Sequence, residues 1–360
     1  MPKGCAVIAT PFGYGPAVTA DLVAQELICH GWECDFIGSA ELLALVSSPY
    51  RKKISVVDDR DPAVLRTVLK GYDCILSVMN KVAVAVGNER GLYTVYFDTL
   101  PWLHSSIPAD HRIADCILWP KMAGVEKKIT SRIKDKVVLL PGILRAQEER
   151  RTSDWDTLID LGGVANPHQD GFERYARILA EAVNGLPDRR ILITVGKRHQ
   201  GVVRNLVGNQ NVSVRFTPYQ EHFRLMQSAK SYLNCGGRLG IMDALSIGLP
   251  IALLFPTNLS QVVMGSLLRQ YGIPCLSWDS LGFDEAALHG VSEERAIASI
   301  NRWAGIVIRQ PALLEQASRQ IRQLLAGPAK TSPIKKLTED LGMGGAAVAA
   351  ERISSRALPS

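Results

Sequence analysis

The sequence predicts an α/β protein with two doubly wound parallel-sheet domains, and three observations lead to this fold class. The chain has 360 residues, which is long for one domain and suits two domains of ordinary size. Short apolar runs alternate with helical patterns in both halves, as in parallel sheets built from βα units. Hydrophobic residues make up 47% of the chain and charged residues 21%, so each half can bury a core.

Six strands are predicted in the first half of the chain. Residues 5–9 form a continuous apolar run, which is typical of a strand buried on both faces. A glycine-containing loop follows at residues 10–16, and apolar residues at helical spacing predict a helix from about residue 17 to residue 30. The other strands of this half are predicted at residues 34–37, 74–78, 93–97, 116–118 and 137–140.

The second half repeats this alternation after a polar, charge-rich segment at residues 141–156, which predicts the linker. Strands are predicted at residues 157–161, 191–195, 212–216, 231–234 and 251–255, with helices at about 171–183 and about 292–325. We therefore expect an N-terminal domain at residues 1–150 and a C-terminal domain at residues 151–340. Their two Rossmann-like sheets should face across a cleft, with ligands at the C-terminal ends of the strands.

Charge and cysteine usage exclude several classes of protein. The net charge of +6 is mild and the Lys and Arg residues are scattered, so nucleic acid is not an expected partner. No apolar run is long enough to span a membrane and no signal peptide precedes the first strand, so we expect a cytoplasmic protein. The seven cysteines include no C-x-x-C pair, and no residues have metal-ligand spacing, so we expect reduced thiols and no metal ion.

The loop between the first strand and the first helix contains Gly13 and Gly15 around Tyr14. Val18 occupies the third glycine position of a dinucleotide fingerprint and no acidic residue ends the second strand, which argues against an NAD site. The glycines either serve a tight turn or let a ligand approach backbone N–H groups at the helix N-terminus. In the second case Phe12, Gly13 and Tyr14 would contact a small ligand.

The most informative segment is residues 234–261, which runs from one strand end through a helix to the next strand end. Gly236 and Gly237 lie at the strand-to-helix turn, where backbone N–H groups at a helix N-terminus can bind a diphosphate. Asp243 follows in the helix, where its carboxylate could accept hydrogen bonds from ribose hydroxyls. A structural βα unit, whose glycines only turn the chain, explains the same residues equally well.

This segment resembles the donor-binding signature of GT-B glycosyltransferases related to the UDP-glycosyltransferases and to the lipid II-forming N-acetylglucosaminyltransferase. The family pattern is His-Gly-Gly-x-x-Ser-x-x-Glu, then Gly-x-Pro, then Pro-x-x-x-Asp-Gln. The chain has the same spacing at residues 235–243, 248–250 and 256–261. The resemblance covers residues 157–354, and it extends to the first half of the chain only as a similar architecture.

The resemblance implies a set of donor-binding residues. The diphosphate site would consist of Gly236, Gly237, Arg238, Leu239 and Gly240. Asp243 would bind the ribose, and Ser260 and Gln261 would contact the donor sugar. Three positions depart from the family pattern: Cys235 replaces the histidine, Gly240 replaces the serine, and Ser260 replaces the aspartate. Arg238 would therefore clamp the diphosphate or a uronic acid carboxylate, or it is an ordinary surface arginine.

Other segments extend the resemblance. Phe216 and Tyr219 lie where the family places an aromatic that stacks on the nucleobase. Gly162 and Gly163 follow the first strand of the second domain, as the glycine-rich loop of the family does. Residues 341–360 resemble the C-terminal helix that packs back on the N-terminal domain. By the same comparison the N-terminal domain would bind the acceptor, through Phe12, Gly13, Tyr14 and Trp102.

The catalytic base is predicted in the first half. Related transferases often place a histidine in the first N-terminal loop, but residues 10–16 contain none. Asp98 and His104 flank Trp102 on the loop after the strand at residues 93–97, and a carboxylate with a histidine suits general-base catalysis. A capping aspartate and a surface histidine would explain these residues equally well. The same loop resembles, over one short motif, the cytosylglucuronate synthases of nucleoside antibiotic biosynthesis.

These resemblances imply a glycosyltransferase that moves a sugar from a UDP-sugar, such as UDP-glucuronate, to a small acceptor, such as cytosine. The nucleotide-sugar is a substrate, and we expect no cofactor. Two alternatives stay open: a nucleotide-sugar 2-epimerase, which shares the GT-B fold, and a donor-binding subunit without catalysis. The expected partners are the donor and the acceptor, a homodimer is left open, and inversion is not distinguished from retention.

Overall fold

The computed structural model describes residues 3–10, 14–46, 49–56, 58–104, 106–122, 124–143, 154–162, 171–327 and 331–356. The chain divides into two compact units. The first unit consists of Met1–Arg145 together with Asp340–Ser360, and the second consists of Ala146–Glu339. Each unit is built around one parallel β-sheet.

The sheet of the first unit has seven strands, and every pair of neighbours is parallel. The strands are β1 (Gly4–Ala9), β2 (Glu33–Gly38), β3 (Lys52–Ser55), β4 (Cys74–Val78), β5 (Tyr93–Phe97), β6 (Cys116–Pro120) and β7 (Val137–Leu140). Their order across the sheet is β3-β2-β1-β4-β5-β6-β7. The order therefore reverses between β1 and β4, which is where doubly wound sheets bind ligands.

The sheet of the second unit has five strands, again with parallel neighbours. The strands are β8 (Thr157–Asp160), β9 (Ile191–Thr194), β10 (Val212–Arg215), β11 (Tyr232–Asn234) and β12 (Ile251–Leu253). Their order is β10-β9-β8-β11-β12, so the reversal lies between β8 and β11. In doubly wound sheets, ligands bind at the C-terminal ends of the strands that flank such a reversal.

Helices connect the strands of both units. Those of the described residues are α1 (Gly15–Cys29), α2 (Ala40–Leu43), α3 (Pro62–Val68), α4 (Lys81–Glu89), α5 (Ala109–Ile113), α6 (Phe172–Asn184), α7 (Gln200–Leu206), α8 (Tyr219–Gln227), α9 (Arg238–Ser246), α10 (Leu259–Arg269), α11 (Glu293–Arg309), α12 (Pro311–Ala326), α13 (Ser332–Leu341) and α14 (Gly345–Arg356). Within the described ranges, no helix combines the length and the apolar character needed to cross a membrane.

Both faces of the first sheet are covered, because successive residues of β1 point to opposite sides. Cys5 and Val7 belong to one buried cluster, which also contains residues of α1 and α14. Ala6 and Ile8 belong to a second cluster, which contains residues of α3 and α4. The end of the chain thus returns to the first unit, where the Trp32 indole N–H donates to the Ser354 hydroxyl oxygen at 2.9 Å.

Two features of the fold differ from the sequence-based expectation. The helix expected at residues 292–325 is two helices, because Pro311 begins α12 and cannot donate the backbone hydrogen bond that would continue α11. The strand β3 was not expected, because its residues are mostly exposed at the edge of the sheet and lack an apolar pattern.

Candidate functional site

Side chains with possible functional roles lie at, or one strand beside, the position where the strand order of each sheet reverses. We call the C-terminal ends of β1, β4 and β5 the first edge, and those of β8 and β11 the second edge. Thr10, Met79 and Asp98 follow directly after the strands of the first edge. At the second edge, Asp160 and Asn234 are the last residues of their strands.

Asp98 and His104 form a hydrogen-bonded pair at the first edge. The Asp98 side chain is fully buried, and its Oδ2 lies 2.6 Å from His104 Nε2. Its other oxygen, Oδ1, accepts a hydrogen bond from the Leu100 backbone N–H at 2.9 Å. His104 keeps 27% of its side chain exposed, so the imidazole joins a buried carboxylate to the protein surface. The structure thus brings together the two residues predicted as catalytic.

A second histidine, which sequence reasoning missed, lies on the other side of this carboxylate. His111 comes from α5, is fully buried, and places Nε2 3.0 Å from Asp98 Oδ2. Its ring packs against His104, Tyr96 and Trp119, with ring centroids 5.3–5.6 Å apart. A histidine in a short helix has no motif around it, so its sequence position carried no signal.

These contacts keep Asp98 ionised. Burial alone would raise the pKa of its carboxyl, but hydrogen bonds and charge from His104 and His111 outweigh burial and lower the pKa to about 2. When the His104 imidazole carries one proton and donates Nε2–H to Asp98, its Nδ1 is left as the proton acceptor. Among the described residues, none is bonded to that Nδ1.

The loop that carries His104 is itself tied down by Lys128. The Lys128 ammonium donates to the backbone carbonyls of Trp102 and His104, each at 2.7 Å. Burial lowers the pKa of Lys128. Trp102, predicted to contact the acceptor, is largely buried, and its Nε1–H has no hydrogen-bond partner among the described residues. Of the other predicted acceptor contacts, Tyr14 is exposed, while Phe12 and Gly13 lie outside the described residues.

Asp98, His104 and His111 are also a set of side chains that a metal ion can use. Their ligand atoms all lie within 4.8 Å of one another, although the sequence led us to expect no metal. Zn²⁺ takes such nitrogen and oxygen ligands and would hold neighbouring ligand atoms about 3.3 Å apart. The Asp98 Oδ2 to His104 Nε2 distance of 2.6 Å is instead that of a hydrogen bond, so the geometry favours the proton-transfer role.

At the second edge, the predicted glycine turn is held by a side chain that was not predicted. Asn234 Oδ1 accepts from the Gly236 N–H at 2.8 Å, and Asn234 Nδ2 donates to the Gly237 carbonyl at 3.1 Å. Gly236 has a φ of +97°, which other residues rarely adopt. A Cβ at Gly236 would also lie 3.2 Å from the Cβ of Gln261, so the turn and the predicted sugar-contacting residue are neighbours.

The predicted ribose ligand Asp243 is buried and already bonded. The Tyr219 hydroxyl lies 3.1 and 3.0 Å from its two carboxylate oxygens and donates to them. Tyr219 is 6% exposed and Phe216 is 37% exposed, so of these two predicted stacking residues Phe216 offers the open ring. A ribose hydroxyl at Asp243 would therefore bind carboxylate oxygens that already accept from Tyr219.

A further set of hydrogen bonds at the second edge, which the sequence did not predict, is centred on Asp160. Its Oδ1 accepts from the Gly162 N–H at 2.8 Å, and its Oδ2 accepts from the Tyr232 hydroxyl at 2.9 Å. His222 Nε2 lies 3.8 Å from the same Oδ2. Gly162 is thereby held at the start of its loop, whereas Gly163 lies outside the described residues. Asp160 and Tyr232 were predicted only as strand residues, and no prediction was made for His222.

The same tyrosine explains one departure from the family pattern. A Cβ built at Gly240 would overlap the Tyr232 hydroxyl and would lie 2.9 Å from Asn234 Nδ2. Gly240, and Leu239 beside it, belong to the first turn of α9 and are partly exposed. A serine cannot occupy position 240 while the Tyr232 hydroxyl points into that space.

Cys235 and Arg238 have different surroundings. Burial raises the pKa of the Cys235 thiol to about 12, and its Sγ packs 3.2 Å from the Tyr175 hydroxyl. Cys235 is therefore a neutral, buried residue. Arg238 is the first residue of α9, and its buried Nε has no hydrogen-bond partner among the described residues. Burial lowers its pKa to about 10, so it remains a cation at neutral pH.

Ser260 and Gln261 begin α10 in a bonded arrangement. Asn258 caps the helix, and its Oδ1 accepts from the Gln261 N–H at 3.0 Å and from the Ser260 hydroxyl at 2.8 Å. Gln261 Oε1 accepts from the Thr257 N–H at 2.7 Å and from the Thr257 hydroxyl at 2.8 Å. The amide group of Gln261 is thereby oriented, with its oxygen turned to Thr257.

Solved structures of similar fold match the chain over nearly its whole length. LpCGTa in complex with UDP matches with a TM-score of 0.62 at 14% identity, over 100% of both chains. The spinosyn rhamnosyltransferase SpnG matches with a TM-score of 0.62 at 13% identity, over 98% of this chain and 100% of that one. The UDP-GlcNAc 2-epimerase from Neisseria meningitidis bound to UDP-GlcNAc matches with a TM-score of 0.57 at 13% identity, over 98% of both.

No protein-family model matches the sequence, and no curated protein matches it. At identities of 13–14% the structural likeness concerns the fold alone. The two parallel sheets with the strand orders described above confirm the α/β fold class expected from the sequence. The chain therefore has the two-domain fold of the GT-B glycosyltransferases.

Proposed function

We propose that the chain is a glycosyltransferase that uses a UDP-sugar donor and a small acceptor. The observation that carries this proposal is the Asp98–His104 pair, with its 2.6 Å hydrogen bond at the first edge of a GT-B fold. A donor-binding subunit without catalysis would not require a buried carboxylate paired with a partly exposed imidazole. Such a pair is what general-base activation of an acceptor needs.

In this proposal His104 Nδ1 removes the proton from the acceptor nucleophile. The nucleophile forms a bond to the anomeric carbon of the donor, and the bond from that carbon to the UDP oxygen breaks, so UDP leaves with the electron pair. Asp98 stabilises the imidazolium that forms on His104. Activation by a general base in this way contributes about 10²–10⁴-fold to the rate.

The donor would be held at the second edge. The Gly236 turn and the N-terminus of α9 offer backbone N–H groups to the diphosphate, and the unpartnered Nε of Arg238 adds a positive charge. Asp243, with Tyr219, would bind the ribose. Phe216 would stack on the uracil ring. Ser260 and Gln261 would contact the donor sugar, and a uronic acid such as glucuronate is favoured because Arg238 could also reach its carboxylate.

The acceptor would be a small molecule such as cytosine, as the short resemblance of the Asp98 loop implies. A 2-epimerase is the second candidate, since the Neisseria meningitidis epimerase has a similar fold. An epimerase changes the sugar without any acceptor, whereas a transferase releases UDP only when an acceptor is present. The homodimer and the cytoplasmic location remain predictions.

The proposal is tested with a thermal-shift panel of UDP, UDP-glucose, UDP-GlcNAc, UDP-glucuronate, GDP and dTDP, followed by an assay of UDP release. Ligands that bind the folded chain raise its melting temperature. We expect stabilisation by the UDP compounds, and UDP release that requires an acceptor such as cytosine. Epimerisation of UDP-GlcNAc at C2 without an acceptor would instead assign the epimerase activity. No stabilisation by any nucleotide would overturn both the transferase and the epimerase hypotheses.

A further inference from the structure

Asp59 is a buried carboxyl group that neither the fold nor the proposed mechanism uses. Only 4% of the residue is exposed, and its Oδ2 has no hydrogen-bond partner among the described residues. Burial raises the pKa of this carboxyl. A buried polar atom without a partner costs about 1–3 kcal/mol, so a residue that serves only the fold would not be expected to keep one.

Asp35 shows how the same sheet treats a carboxylate that has a structural role. It is as deeply buried as Asp59, but Arg51 donates to both of its oxygens and the Tyr72 hydroxyl donates to Oδ2 at 2.6 Å. Burial alone would raise the pKa of Asp35, but these partners outweigh it and lower the pKa. Both carboxylate oxygens of Asp35 have hydrogen-bond partners, whereas Asp59 Oδ2 has none among the described residues. Asp35 therefore serves as the structural control for Asp59.

The position of Asp59 is at the strand reversal of the first edge. The Asn80 side chain, just after β4, donates to the Asp59 carbonyl at 2.8 Å. The neighbouring Arg60 reaches the Thr10 hydroxyl, just after β1, at 3.4 Å. The loop of Asp59 therefore lies over the ends of both strands between which the order reverses. This is where a doubly wound sheet binds its ligand.

Contacts link this loop to the Asp98–His104 pair. Met79 lies between β4 and Asn80 and has a φ of +62°, which is strained for a residue other than glycine. Its Sδ accepts from the Thr99 N–H at 3.2 Å, directly beside Asp98. A series of contacts and chain neighbours thus runs along the first edge from Asp59 through Asn80, Met79 and Thr99 to Asp98.

We propose that Asp59 binds the acceptor, by accepting a hydrogen bond from an N–H or O–H group remote from the nucleophile. The acceptor class is then a small polar molecule with two such groups, one deprotonated by His104 and one bound by Asp59. Simple monofunctional alcohols do not fit, because they would leave the buried Asp59 Oδ2 without a hydrogen-bond donor. This inference rests on the proposed transferase function and specifies its acceptor.

The test compares Asp59→Asn with Asp35→Asn in the full-length protein. Asp59→Asn removes a buried carboxylate whose Oδ2 has no hydrogen-bond partner among the described residues, so the melting temperature should rise by about 2–4 °C. Asp35→Asn breaks the contacts with Arg51 and Tyr72, so its melting temperature should fall. A fall in both variants would make Asp59 a structural residue and would overturn the proposal.

The second readout is UDP release from UDP-glucuronate with cytosine or with N4,N4-dimethylcytosine, which lacks the amino donors. In Asp59→Asn, and more strongly in Asp59→Leu, kcat/KM for cytosine should fall roughly tenfold or more, because a hydrogen bond is lost. UDP affinity should not change. The wild-type protein should discriminate between the two acceptors, and the Asp59→Leu protein should not.

The two hypotheses fail in different ways. Equal kcat/KM for cytosine in the wild-type and Asp59→Leu proteins would overturn the acceptor role of Asp59 and leave the transferase function standing. Failure of the wild-type protein to bind UDP would overturn the proposed function, and the acceptor role would fall with it. UDP binding without UDP release in the presence of cytosine would overturn cytosine as the acceptor.

Discussion

Asp98 at the first edge and Asp243 at the second are both buried aspartates, and their partners differ. Asp98 lies between two imidazoles, one of which is partly exposed. Asp243 is bonded to the hydroxyl of a buried tyrosine. Imidazole exchanges protons near neutral pH, whereas a phenol normally keeps its proton there and acts as a hydrogen-bond donor. In the proposed function, these partners assign proton transfer to the first carboxylate and ligand binding to the second.

The largest expected effect is on turnover at the first edge. His104→Ala removes the proposed base, so kcat should fall about 10²–10⁴-fold while UDP affinity is unchanged. The measurement is steady-state UDP release, with UDP binding followed by calorimetry. His289→Gln, at an exposed histidine of the second unit, is the control and should behave as the wild type.

Metal removal distinguishes a proton-transfer role of Asp98, His104 and His111 from a metal-binding role of the same residues. Dialysis of the wild-type protein against EDTA should leave turnover unchanged, because the imidazole and the carboxylate act without an ion in the proposed mechanism. Loss of turnover that Zn²⁺ restores would instead assign Asp98, His104 and His111 to a metal site.

Acid stability should report on Asp98. Its pKa is lowered from 3.8 to about 2 in the folded chain, so its stabilising contribution is fully present above about pH 4 and is lost as pH falls through about 2. In Asp98→Asn this loss, about 2 kcal/mol of unfolding free energy, should be absent. Urea unfolding between pH 2 and pH 5 would measure it, with exposed Asp58→Asn as the control. An unchanged acid dependence in Asp98→Asn would contradict the pairing with the histidines.

Donor affinity should report on Asp243. Asp243→Ala should weaken UDP binding by about 1–3 kcal/mol, because hydrogen bonds to ribose are lost, and Tyr219→Phe should have a smaller effect. The value of kcat at saturating donor should change little, in contrast to His104→Ala. Calorimetric titration with UDP measures the effect, and exposed Asp188→Ala is the control. Unchanged affinity in Asp243→Ala would remove the ribose role.

The smallest expected effect is structural and concerns the glycine at the start of α9. Gly240→Ala places a Cβ against the Tyr232 hydroxyl, so unfolding free energy should fall by at least about 1 kcal/mol. Tyr232→Phe removes that hydroxyl, so Gly240→Ala should lower the unfolding free energy less in the double variant than in the wild-type background. The melting temperatures of the two single variants and the double variant measure this coupling. Additive effects would show that the two residues do not compete for space.

Parts of the site could be predicted because they lie close together in the sequence. Asp98 and His104 share one loop, and Gly236 and Gly237 share one turn, so their chemistry is visible in a short segment. His111 could not be predicted, since only α5 packing brings it to Asp98. Asp160 and Tyr232 are far apart in the chain and meet because β8 and β11 are neighbours in the sheet. The lack of a hydrogen-bond partner for Asp59 Oδ2 likewise could not be predicted, because it depends on the residues that pack around it.

The sequence by itself determined the α/β class, most strand positions and the glycine turn, because apolar periodicity and backbone freedom act over a few residues. Tertiary structure decided which polar side chains are paired. It gave Asp98 two imidazoles and joined Tyr219 to Asp243. It also placed the Tyr232 hydroxyl where a serine would stand, and left Asp59 Oδ2 without a hydrogen-bond partner among the described residues. Pairing depends on strand order and on burial, and both arise only when distant segments pack together.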